Sequence, residues 1–120
     1  MAKILVIDDI EYLRDTISEI LRRGGYDTVR AANWRAGLAM FKEYAPDLVV
    51  TDVLMPDLEG LDTIRSLKAL SPNLPIIAIS GSTDSPHLQT AIELGATETL
   101  RKPFKQEDLL SAVRRNVQSA

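Results

Sequence analysis

From Lys3 to Val117, apolar runs of strand length alternate with stretches whose apolar residues recur at helical spacing. No other feature constrains the fold as strongly. Parallel strands cannot be joined by a tight turn and need a crossover, usually helical, so five strand–helix units in succession define an α/β domain on a parallel sheet. The strand runs fall at Lys3 to Ile7, about Thr28 to Ala31, Leu48 to Thr51, Ile76 to Ile79 and about Glu98 to Arg101.

Start and stop signals separate the units. Leu13, Ile17, Ile20 and Leu21 share one helical face, and Gly24-Gly25 supplies a glycine stop. Asn33 caps a second helix carrying Trp34, Leu38 and Phe41, which ends before Pro46. A loop from Asp52 to Glu59 leads to a third helix with Leu61, Ile64, Leu67 and Leu70, closed by Ser71-Pro72 and Pro75. Ser85-Pro86 opens a short fourth helix through Leu94, terminated by Gly95. The last helix follows Pro103-Phe104, with Leu109 or Leu110, Val113 and Val117 at helical spacing.

Strands one, three and four are nearly continuous apolar runs, as expected under helices on both faces, whereas strands two and five alternate like edge strands. With right-handed crossovers the simplest arrangement is a doubly wound, flavodoxin-like (βα)5 sheet of order 2-1-3-4-5, with its chain reversal between strands one and three. A length of 120 residues, 45% of them hydrophobic, fits one domain spanning 1–120.

Composition removes several function classes. The net charge of −3, without a block of like charge, offers neither a nucleic-acid footprint nor a basic membrane face. The absence of cysteine excludes disulfides, thiol nucleophiles and cysteine-ligated zinc. Ile4 to Ile7 is too short an apolar run for a signal peptide or a membrane span, and a cytoplasmic location is expected.

Polar residues mark the strand ends: Asp8 and Asp9 after strand one, Asp52 after strand three, Ser80 after strand four and Lys102 after strand five. Parallel strands share one C-terminal rim, so these residues converge on a single crevice at the switch point. Three carboxylates within a few ångströms repel one another, and a hard divalent cation relieves them; magnesium suits an all-oxygen site that retains waters. Asp52 then serves as ligand and as nucleophile toward a phosphoryl group, forming an acyl phosphate, with Lys102 and Ser80 meeting the phosphoryl oxygens. Nothing beside it is suited to rapid activation of water.

The acidic pair Asp8-Asp9, Asp52 followed by Met55-Pro56 and Gly60, Ser80, and Lys102-Pro103-Phe104 stand in an order that resembles the response-regulator receiver domain of two-component signalling. The resemblance covers essentially the whole chain. It implies that Asp52 accepts a phosphoryl group from a sensor histidine kinase or a histidine phosphotransfer protein. It also implies that Asp9 and Asp52 ligate Mg2+ directly, Asp8 through water, with the Leu54 carbonyl as a further ligand. Lys102 would pair with the phosphoryl group and Ser80 would move toward it, and family members commonly have a cis bond before the residue at Pro103. The implied readout is the surface of helix four, strand five and helix five toward a downstream protein target, the chain being a monomer or a phosphorylation-dependent homodimer.

One position departs from the family pattern. Three residues before Lys102, where an aromatic side chain usually swings inward, stands Thr99. The expected switch therefore acts through Ser80 to Ser85 and helix four.

Each residue alone has an ordinary reading: an Asp pair as a turn or cap, Ser80 as a surface hydroxyl, Lys102, Arg14, Arg22 and Arg23 as solvated charge, His87 as an exposed lone histidine. Joint placement at four strand ends outweighs those readings. A dehalogenase-type phosphatase would need a second Asp two positions after the nucleophile, where Leu54 stands, and a flavodoxin's phosphate loop would be repelled by Asp8-Asp9. The chain is expected to be no enzyme beyond its own phosphorylation and slow dephosphorylation. The alternative is an unphosphorylated pseudo-receiver acting as an adaptor.

Overall fold

In the computed structural model, β1 (Lys3–Ile7), β2 (Asp27–Ala31), β3 (Leu48–Asp52), β4 (Ile76–Gly81) and β5 (Glu98–Lys102) pair in parallel in the order β2-β1-β3-β4-β5. The structure describes residues 2–53, 59–81 and 85–118, apart from the side chains of Glu59, Ser85 and Gln118. Between the strands run α1 (Glu11–Arg23), α2 (Trp34–Tyr44), α3 (Glu59–Leu70) and α4 (Ser85–Glu93), and α5 (Gln106–Gln118) closes the fold. The expected order and edge strands are as read from hydrophobicity.

Side-chain alternation along each strand divides the core into two layers. Ile4, Val6, Leu48, Val50, Ile77 and Ile79 pack against Ile17 and Leu21 of α1 and Leu109, Ala112 and Val113 of α5. Leu5, Ile7, Val49, Ile76 and Ala78 meet Ile64 and Leu67 of α3 and Leu88 and Ala91 of α4 on the opposite side. Because β1, β3 and β4 are covered on both faces, their sequences carry no polar alternation.

Local signals act where the sequence placed them. Asn33 Oδ1 accepts the Ala36 N–H at 2.8 Å, and Gly25 and Gly95 adopt φ of 96° and 117° just beyond the ends of α1 and α4. The structure also corrects four readings. Leu70 is half exposed at 52% and takes no part in the core that Leu61, Ile64 and Leu67 of α3 join. β2 starts one residue earlier, at Asp27, which pairs with Lys3. His87 is half-buried rather than exposed. Finally, β3, β4 and β5 extend through Asp52, Gly81 and Lys102, since ladder pairs continue to Asp52 with Ile79 and Gly81 with Lys102. Among the described residues no helix is long and apolar enough to cross a membrane.

Candidate functional site

Strand register decides the relative heights of the polar residues at the rim. Ile7 is level with Thr51, so the next residues, Asp8 and Asp52, are level with each other. Asp52 pairs with Ile79, which puts Ser80 one step higher, and Lys102 pairs with Gly81, two steps higher. Alternation sends Asp8, Asp52 and Lys102 toward the α1/α5 side, continuing the rows of Val6, Val50 and Leu100, while Ser80 continues the row of Ala78 toward α4. The long stem of Lys102 closes the height difference and brings Nζ to 3.1 Å from Asp52 Oδ2. The Lys102-Pro103 peptide bond is cis.

One carboxylate oxygen from each of Asp8, Asp9 and Asp52 lies within 4.8 Å of the others. Asp8 and Asp52 are 1% and 4% exposed, while Asp9 faces solvent. Asp8 Oδ1 accepts the Ile10 N–H at 2.9 Å, but its Oδ2 is buried without a hydrogen-bond partner among the described residues. The Asp8 carboxyl is pushed up from 3.8 to about 6, chiefly by burial. The Ile10 bond opposes this rise; the Asp52 and Asp9 charges add to it against the pull of Lys102. Three acids facing one ammonium leave an anionic, all-oxygen pocket, and an orphaned buried carboxylate oxygen is costly unless a cation or water meets it. The residues therefore fit a hard divalent cation.

Gly60, in the first turn of α3, allows that turn to lie directly on the backbone that presents Asp52. A Cβ at Gly60 would fall 2.1 Å from the Asp52 carbonyl oxygen and 2.5 Å from Val53 Cα. Leu54, expected to offer its carbonyl, lies outside the described residues, as do Met55, Pro56 and the Ser82 to Asp84 segment. Thr99 is half-buried, opposite Ala78 and one row from Ser80 on the α4 side.

Reading Arg14 as solvated helix charge missed its place in the structure. It is half-buried, and its Nη1 donates to the Asp8 backbone carbonyl at 2.9 Å. The available signal was its position in the first turn of α1, because helical side chains lean back over the preceding turn, here toward the end of β1. Arg22 and Arg23 are exposed and pair with Glu19, as ordinary helix-surface charges do. An open, largely apolar groove of about 650 Å³, lined by Leu13, Ile17, Lys102 and Phe104 among others, runs beside the pocket between α1 and the turn after β5.

Fold and site together define a doubly wound α/β domain whose switch point holds an acidic pocket backed by a lysine. Residues 4–114 match the family model of the response regulator receiver domain, and the chain belongs to that family, the receiver domains of two-component signalling. It is 35% identical over 112 residues to the DNA-binding response regulator MtrA of Mycobacterium tuberculosis, covering 93% of this chain and 49% of that protein. It is also 30% identical to the chemotaxis protein CheY of Thermotoga maritima, covering 92% and 93%. The chain thus spans about half the length of the MtrA relatives and nearly the whole of CheY. Among solved structures, a response regulator receiver domain protein from Clostridium thermocellum superposes with a TM-score of 0.93 at 35% identity, covering 99% and 96%. The receiver domain of NtrX from Brucella abortus gives 0.92 at 32%, covering 98% and 99%.

Proposed function

We propose that this chain, as a single domain over 1–120, is a phosphorylation-operated switch in which Asp52 accepts a phosphoryl group from a histidine of a kinase or phosphotransfer protein. The observation that carries this reading is the pairing of Asp52 with Lys102 at 3.1 Å inside a pocket with two further carboxylates. In the transfer, an Asp52 oxygen forms a P–O bond as the donor's P–N bond breaks, and the imidazole nitrogen recovers a proton. Bound Mg2+ would supply charge neutralisation for the phosphoryl oxygens. Asp9 and Asp52 would hold it directly, with the Leu54 carbonyl, and Asp8 through water. Lys102 exchanges its carboxylate partner for a phosphoryl oxygen, and the Ser80 hydroxyl donates to another.

The added group carries roughly −1.5 to −2 charge at neutral pH, which favours the conformer in which Ser80 and Lys102 both engage it. Ser80 and the small Thr99 occupy the α4 side of the sheet and Lys102, at the end of β5, the α1/α5 side, so the change is read on α4, β5 and α5 by a downstream protein, with homodimerisation as one form of readout. Function in the cytoplasm follows from such a role. Incubation with Mg2+ and acetyl phosphate is expected to give a single-phosphate mass increase that chelation or Asp52→Asn abolishes. Absence of an adduct with acetyl phosphate and with any kinase would favour an adaptor without phosphorylation.

A further inference from the structure

Asp8 is fixed at three points. Its N–H donates to the Ala31 carbonyl at 3.1 Å, its Oδ1 accepts from Ile10 N–H, and its own carbonyl accepts from Arg14 Nη1, the last two bonds at 2.9 Å. Helix α1 begins without a side-chain cap: Ile10 occupies the cap position in extended conformation and contributes no side-chain acceptor. Arg14 makes the first intrahelical bond, its N–H donating to the Ile10 carbonyl, and its guanidinium reaches back to Asp8. One residue thus ties the end of β1 to the start of α1 across the Asp8-Asp9 segment. Among the described residues Arg14 forms no ion pair, unlike Arg22 and Arg23. Its side-chain bond here is to a backbone carbonyl, so it acts on the course of the chain at Asp8.

We propose that Arg14 is a positioning residue for the cation pocket: by clamping the Asp8 carbonyl it turns Asp8 Oδ2 inward and holds Asp9 at ligating distance. This rests on the functional reading above. Groups that orient ligands from outside typically change metal affinity 10–100-fold when removed, and Arg14→Met, which keeps an apolar stem and loses the donor, is expected to weaken Mg2+ binding about tenfold. Arg14→Lys, which keeps a cationic donor at its tip, should bind Mg2+ more tightly than the Met variant.

The test is calorimetric titration of each protein with MgCl2, together with amide hydrogen exchange on the metal-free chain. In Arg14→Met, amides of Asp8 to Leu13 should exchange faster while those of β3 and β4 stay at wild-type rates. Mg2+ affinity of Arg14→Met within a factor of two of wild type, or equal weakening by Met and Lys, would overturn the assignment. So would faster exchange throughout the sheet, which marks general destabilisation. Wild-type protein that takes up no Mg2+ would overturn the functional reading along with it, an outcome separated from the others by the first titration.

Discussion

Replacing Gly60 by alanine tests whether the contact between α3 and the backbone that presents Asp52 is as tight as the geometry requires. The new Cβ would sit 2.1 Å from Asp52 O, 2.5 Å from Val53 Cα and 2.6 Å from Val53 O, all backbone atoms, whereas real Cβ contacts stay beyond 3.0 Å. The first turn of α3 or the end of β3 must therefore move by about 1 Å. Overpacking of this kind costs about 1–3 kcal/mol, and backbone neighbours put it at the upper end. Alanine returns up to about 1 kcal/mol through helix propensity, leaving a net loss of about 2 kcal/mol. With an unfolding entropy of about 2.1 cal/mol/K per residue, that lowers the Tm by about 8 °C. A 1 Å displacement of a reacting group can also slow transfer about 10²-fold. Gly37→Ala is the comparison, because its Cβ would meet side-chain atoms of Ile7, Cδ1 at 2.6 Å and Cγ1 at 3.2 Å, and no backbone atom is among its three nearest. Urea and thermal unfolding, with phosphorylation rates from acetyl phosphate, measure both effects. A Gly60→Ala protein as stable and as readily phosphorylated as wild type would refute the packing argument.

Three further outcomes are expected. Because Asp8 titrates near 6 when folded and at 3.8 otherwise, the native state holds a proton between those values that the unfolded chain has released; the contribution of Asp8 to metal-free stability should fall by about 3 kcal/mol as pH rises through this window and stay level above it. Asp8→Asn should accordingly be more stable than wild type at pH 7.5 without Mg2+, by up to about 3 kcal/mol, with the difference vanishing below pH 3.8; because Asp8 would act through water, the variant should also lose part of the roughly 2.7 kcal/mol that Mg2+ at a hundred times Kd adds to wild type. Urea titrations across pH decide this. Lys102→Ala removes the 3.1 Å partner of Asp52 and should slow phosphoryl transfer about 10²-fold, measured by mass spectrometry of timed samples. Glu98 on β5 accepts from Arg115 and Asn116 of α5, and the Arg115 bond in particular lowers its pKa below 4.5. Its stabilisation is present above 4.5 and lost as pH falls through the depressed value, so Glu98→Gln should reduce the Tm slightly at neutral pH, less in high salt.

Much of the fold was legible because its signals are local or periodic. The apolar runs of β1, β3 and β4 announced strands buried on both faces, and the alternation in Thr28 to Ala31 and in Glu98 to Arg101 marked the edges. Asn33, Gly24-Gly25 and Gly95 punctuated the helices through backbone geometry that sequence records directly. The polar residues at the strand ends could be placed on one rim because parallel strands share their C-terminal side. Leu70 was misread because helical spacing says which residues share a face but not how far along the helix that face stays covered.

The rest required the third dimension. Burial separates Asp8 from its neighbour Asp9, and only the assembled sheet determines that one is enclosed and the other faces water. Register between separate strands sets Lys102 two steps above Asp52, and the length of its side chain converts that offset into contact. Arg14 and Gly60 matter through approaches between the start of a helix and the end of a strand, at distances fixed by packing and written in no single segment. Residue order determined which groups this chain brings to its rim, since topology follows from short-range pattern. Their enclosure, spacing and charge balance were decided by tertiary structure, because solvent exclusion and electrostatic coupling depend on every element packed around them.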